Sequence, residues 1–187
     1  MRKLFTGCLL AVSLSIVSLA HAGDRNIVVT LSGVGSPIDV TTLPLFERLP
    51  DGVQANILSA NVCFEVPMFN LTTNRLIGRG IDCLGNFDFT DELIPELTLT
   101  DTVIFQFHSG TIVATSEVTI QQNLTGDPNV THLTGAFPSE ENIDFTSGRF
   151  RRSDGGTVRL SGGVDMSDFI ATGGPLVFNC IFVIDLN

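Results

Sequence analysis

The residues best suited to chemistry in this 187-residue chain are Glu65 and Arg79, the cysteines at 63, 83 and 180, and the histidines at 108 and 132. Glu65 lies in Cys63-Phe64-Glu65-Val66-Pro67, where strand alternation puts Cys63, Glu65 and Pro67 on one face and Phe64, Val66 and Met68 on the other. A carboxylate directed into an apolar barrel interior is costly unless paired, and its pKa rises. It then suits a general acid, or a group that stabilises positive charge developing on a reacting molecule. Arg79 stands in Ile77-Gly78-Arg79-Gly80-Ile81, with room beside it, and is the cation able to reach Glu65 from a neighbouring strand. Glu65 and Arg79 are the catalytic candidates. Two plainer placements stay open: a Glu65 that faces solvent, and a structural ion pair between the two.

Other chemistries find little support. His108 precedes Ser109-Gly110 and His132 sits between Thr131 and Leu133, with no paired ligand spacing around either, so neither a metal nor any other cofactor is expected. Gly-x-Ser-x-Gly is missing, and Asp165-Met166-Ser167-Asp168 shares only two acids with a calcium loop. The single lysine is Lys3, so no Schiff-base lysine exists beyond the leader described next.

Residues 1–22 have the three parts of a secretory signal peptide: Arg2 and Lys3, an apolar run from Cys8 to Leu19, and Ala20-His21-Ala22 before Gly23. The run is too short to span a bilayer, and no later stretch is long enough. The expected location is secreted or periplasmic. Without the leader, all 20 acids remain against eight arginines, a net charge of −12. That charge argues against nucleic acid as a partner, since phosphate binding needs a basic stripe. Three cysteines in an oxidising compartment suggest one disulfide and one free thiol. Cys83 with Cys180, leaving Cys63 free, is the expected pairing; Cys63 and Cys180 sit on strands that barrel closure would make neighbours.

The elements that must position these residues are strands. Short β-branched and Phe-rich runs recur between Gly, Asn, Asp and Ser clusters, and nothing keeps a helical period for three turns. Eight strands are expected, over residues 60–69, 76–84, 102–108, 111–121, 130–136, 145–151, 157–165 and 176–186. Ser109-Gly110 and Ser153-Asp154-Gly155-Gly156 supply hairpin turns. The fold class is all-β, an eight-stranded antiparallel up-and-down barrel, closed so that no edge is exposed. Residues 23–58, with Pro37, Pro44 and Pro50 and a strand-like Ile27 to Leu31, read as an N-terminal extension and residues 59–187 as the barrel domain, with an acidic loop over residues 86–100. The last strand is apolar on both faces, which calls for a cover outside the barrel, either an oligomer or the 24–58 segment.

Val130 to Phe137, Ser147-Gly148-Arg149-Phe150 and the strand Gly156-Thr157-Val158-Arg159-Leu160-Ser161-Gly162-Gly163-Val164 resemble the carboxyl half of the allene oxide cyclase barrel-like family, which is related to dirigent proteins. The resemblance implies a lipocalin-like barrel, a homotrimer, and a hydrophobic cavity open at one end. In that family the first barrel strand carries an acid in an aromatic-acid-aliphatic context, which Phe64-Glu65-Val66 matches. The cyclase pattern continues with Asn where this chain has Pro67, and dirigent sites use tyrosines, of which this chain has none.

Two functions follow. The first is a secreted dirigent-like or cyclase-like barrel that binds a hydrophobic small molecule and steers its cyclisation or coupling, an isomerase-like activity with Glu65 and Arg79 stabilising developing charge. The second is a non-catalytic module that carries or sequesters an apolar ligand.

Overall fold

In the computed structural model, which describes residues 25–86, 96–122, 126, 129–135, 140–153 and 155–187, period-two alternation is realised as nine strands. They are β1 (Arg25–Pro37), β2 (Ala60–Asn70), β3 (Leu76–Gly85), β4 (Glu96–Phe107), β5 (Gly110–Gln122), β6 (Val130–Gly135), β7 (Ile143–Thr146), β8 (Thr157–Asp165) and β9 (Leu176–Leu186). Two short helices, α1 (Asp51–Ser59) and α2 (Ser167–Thr172), complete the described elements apart from single 3-10 turns. The leader, residues 1–22, and most of the acidic segment lie outside the described residues; Glu96 itself opens β4.

The strands close into an antiparallel barrel in the order β1, β2, β3, β4, β5, β6, β8, β9 and back to β1. Eight strands form the ring, as the sequence suggests, but their membership differs. The segment expected to be an extension supplies β1, which pairs with β9 from Arg25↔Leu186 to Gly35↔Leu176 and with β2 on its other edge. The run expected at 145–151 is instead the four-residue β7. It pairs with the first half of β5 while β6 pairs with the second, so β6 and β7 lie end to end between β5 and β8. The Asn142 side chain continues the ladder there, donating to the Val158 carbonyl (3.0 Å) and accepting from its N–H (2.7 Å).

One face of each strand fills the barrel. Phe64, Phe105, Phe178, Phe182, Leu31, Met68 and Ile184 are fully buried, with Phe105 and Phe182 edge to face at 5.2 Å. Gly35 on β1 permits this, because a Cβ there would run into the Phe178 ring. A second apolar layer lies outside. Val40, Leu49, Val53 and Ile57, from residues 38–59, cover Cys63, Ile81, Cys83, Ile104 and Val113 on the outer face of β2 to β5. The 24–58 segment is thus both strand and cover, but it does not cover β9, whose outer Val177 and Ile181 remain exposed.

The upper end of the barrel carries α2. The lower end carries the β2–β3 turn, the β4–β5 turn at His108-Ser109 and a 3-10 turn at Gly148–Phe150.

Candidate functional site

The interior is not wholly apolar. Alternation on β3 sends Gly80, Asp82 and Leu84 inward, and on β4 it sends Leu99, Asp101, Val103 and Phe105 inward. Asp82 is opposite Val103 and Asp101 opposite Leu84, so the two carboxyls meet on the diagonal of the ladder. They are 3% and 2% exposed and hydrogen-bond each other. The Oδ1 atom of each has no hydrogen-bond partner among the described residues.

Burial raises both groups above the ordinary carboxylate range, because an apolar interior disfavours the charged form. Asp101 is raised further by the neighbouring charge of Asp82 and by the hydrogen bond between them, a bond that offsets part of the rise at Asp82. The two carboxyls titrate as a coupled pair, in which the charge of one disfavours the charge of the other. Cys180 projects from β9 into the same interior, opposite Gly162, where a Cβ would strike its backbone and Sγ. Desolvation and the charge of Asp82 push its thiol up to about 12, so it is an inert thiol.

At the next inward positions, two residues along each strand from the carboxyls, Leu84 and Leu99 line an apolar cavity beneath α2, together with Phe64, Phe178, Met166 and Phe169. The space open to the centre of a water-sized sphere is about 20 Å³, enough for about one water. Phe169 of α2 packs edge to face on Phe64 at 5.6 Å and forms part of the roof.

Glu65 and Arg79 do come together, on the other side of the wall. Arg79 Nη1 donates to Glu65 Oε2 at 2.6 Å, and its Nε donates to Gln106 Oε1 at 2.6 Å. Both side chains lie on the outer face and are more than one-third exposed, in an open groove of about 510 Å³. The structural ion pair left open by the sequence is the arrangement found; neither group reaches the barrel interior.

The disulfide expected between Cys83 and Cys180 is not formed. Cys63 and Cys83 face each other directly across β2 and β3 and are bonded, and Cys180 is the free thiol. The reason is topological. β1 and β2 intervene between β9 and β3, and Cys180 points inward whereas Cys63 and Cys83 point outward under α1. His108 lies in the β4–β5 turn, and His132 Nε2 is 3.4 Å from Ser161 Oγ on the barrel exterior.

Asp82 and Asp101 escaped the sequence reading. In Ile81-Asp82-Cys83-Leu84 the residues on both faces are buried, so the acid sits in what looks like an ordinary buried strand. The available signal was the period-two set Gly80, Asp82, Leu84, an acid on an otherwise apolar inward face. Compared with known proteins, the chain matches no family model, no curated protein and no solved structure.

Proposed function

We propose that the protein is an exported ligand-binding barrel of the dirigent-like or cyclase-like kind. One small, largely apolar molecule occupies the cavity beneath α2 and sets a polar atom against Asp82 and Asp101. The observation that carries this reading is the pair of buried carboxyl oxygens without hydrogen-bond partners among the described residues, one inward position from an apolar cavity. A buried polar atom left unsatisfied is costly, and a ligand that satisfies it gains that free energy back as affinity and orientation. The cavity holds about one water, so the ligand enlarges it by displacing Phe169, carried on the six-residue α2. The intramolecular disulfide supports an oxidising compartment.

A catalytic version of this reading rests on a proton retained by the Asp82–Asp101 pair, whose carboxyls burial raises above the ordinary range. A retained proton beside a carboxylate in a dry site can hydrogen-bond a reacting oxygen and stabilise positive charge elsewhere on the molecule, which is what steering a cyclisation requires. The trimer implied by the family resemblance would use the exposed apolar pair Val34 and Val177, which face each other across β1 and β9, with Ile181 beside them.

The test uses two probes, 4-propylphenol and a C18 unsaturated fatty acid. A chain without Trp or Tyr leaves a phenol's own fluorescence unobscured. Stoichiometric binding to the wild type, weakened about tenfold or more in the Asp82→Leu/Asp101→Leu double variant, is expected. Replacing both partners by apolar groups of similar shape preserves the fold. Failure of both probes to bind, or equal binding by the double variant, overturns the proposal.

A further inference from the structure

The lower end of the barrel, opposite the cavity, carries a second groove of about 530 Å³ between the β2–β3 turn, the β4–β5 turn and the 3-10 turn at Gly148–Phe150. Its floor is apolar, from Ile27, Leu76, Ile77 and Phe107. Its rim is polar, from Asn70, Thr73 and Ser109, and cationic, from Arg75, Arg149 and His108. Among the described residues no carboxylate lines it. In a chain with 20 acids that is an unusual surface, and its arginines are not drawn into the ion pairs that hold Arg79 to Glu65 and Arg159 to Asp185. Among the described residues, Arg75 and Arg149 form no ion pair with an acid.

The cation at the groove is held by the fold. The Arg149 N–H donates to the Ser109 carbonyl at 2.9 Å, tying the 3-10 turn to the β4–β5 turn. The Arg149 guanidinium lies 4.7 Å from the centre of the Phe150 ring, which stacks in turn on Phe107 at 5.1 Å. Gly148, at φ +62°, lets the turn come this close: a Cβ there would strike the Ser109 carbonyl and Gly110 Cα. Pre-placed guanidinium groups match carboxylate and phosphate geometry with little ordering cost. Leu76, 61% exposed at the groove edge, offers apolar surface to whatever the cations hold.

We infer that this lower groove binds an amphipathic anion, with a carboxylate or phosphate monoester between Arg75, Arg149 and His108 and a hydrocarbon body over Ile27, Leu76 and Ile77. The site is separate from the carboxyl pair and does not depend on the function proposed for it. The anionic group can arrive on a free molecule or at a lipid surface; the chemistry recognised is the same.

Dodecyl phosphate below its micelle concentration, inorganic phosphate, and vesicles of anionic phospholipid are titrated against wild type, Arg75→Gln/Arg149→Gln, Arg48→Gln and Asp101→Asn at low and moderate salt. The expected result is saturable binding of dodecyl phosphate that weakens about tenfold or more in the double variant and with added salt. Arg48→Gln, an exposed arginine away from the groove, and Asp101→Asn, in the barrel interior, leave it unchanged. Arg75/Arg149-dependent binding to vesicles as well would identify a lipid headgroup as a source, and its absence a free anion. Inorganic phosphate binding as tightly as dodecyl phosphate overturns the role of the apolar floor. Absent binding of both dodecyl phosphate and vesicles, or equal binding by the double variant, overturns the site.

Discussion

Asp82 and Asp101 share a hydrogen bond across the β3–β4 ladder, and among the described residues no basic side chain is buried with them. A pair of this kind ties stability to pH in a definite sense. Both folded-state pKa values are raised from the ordinary 3.8, so the folded protein binds more protons than the unfolded chain above that value. Stability contributed by the pair is fully present below 3.8 and is lost as pH rises towards the raised values, with a slope of about 1.4 kcal/mol per pH unit while one proton is retained. Thermal unfolding midpoints of wild type and Asp101→Asn, measured from pH 4 upward, should diverge in that direction, with the variant less sensitive to alkali. Parallel curves would show that the pair is not the titrating element.

The outer ion pair should matter little. Glu65 and Arg79 are 36% and 38% exposed, where screening by water and salt reduces such pairs to under about 1 kcal/mol. Glu65→Gln is expected to shift the unfolding midpoint by only a few degrees and to leave probe binding inside the barrel unchanged. A tenfold loss of interior binding would restore Glu65 as a site residue.

Cys63 and Cys83 close a loop with a sequence separation of 20, for which chain entropy gives a stabilisation of about 3 kcal/mol. The Cys63→Ala/Cys83→Ala variant should unfold about 6 to 12 °C below wild type in calorimetry. Wild type in reductant should approach the same midpoint.

Cys180 is 1% exposed and its thiol is pushed up to about 12, so it should resist iodoacetamide in the native protein. In the chain from residue 23 onward, denaturation without reductant should release a single alkylatable thiol, located at Cys180 by peptide mass mapping. Labelling at Cys63 or Cys83 under those conditions would contradict the bonded pair.

Gly148→Ala should destabilise by about 1 to 3 kcal/mol, because it demands positive φ and puts a methyl group against the Ser109 carbonyl. Denaturant unfolding measures this directly. Gly52→Ala, where a Cβ meets nothing within 4 Å, is the matched control.

How far the sequence speaks can be judged strand by strand. β2, β3, β8 and β9 are bounded by turn residues and keep a clean period, and their limits are legible to within a residue or so. β1 is harder: Ile27 to Leu31 is strand-like, but Pro37, Pro44 and Pro50 make the segment look like an extension, and nothing marks Gly35 as the point of close passage over Phe178. That one misreading propagates: with β1 left out, β9 becomes a neighbour of β2, and Cys180 seems free to pair. The acid in Phe64-Glu65-Val66 was visible, but the face it occupies was not. Outward positions on β2 to β5 are as apolar as inward ones, because residues 38–59 bury them. Composition along a strand cannot distinguish two dry faces.

The placement of β1 also orders events in time. Its eleven pairings with β9 join positions at opposite ends of the described chain, the most distant contacts in the ring and the slowest to be found by a folding polypeptide. A chain synthesised from its N-terminus delivers β1 first and its partner last. Throughout that interval β1 has an unsatisfied edge, and Ile27, Val29 and Leu31 lack the core that will cover them. The barrel is a closure whose first stave must wait for its last.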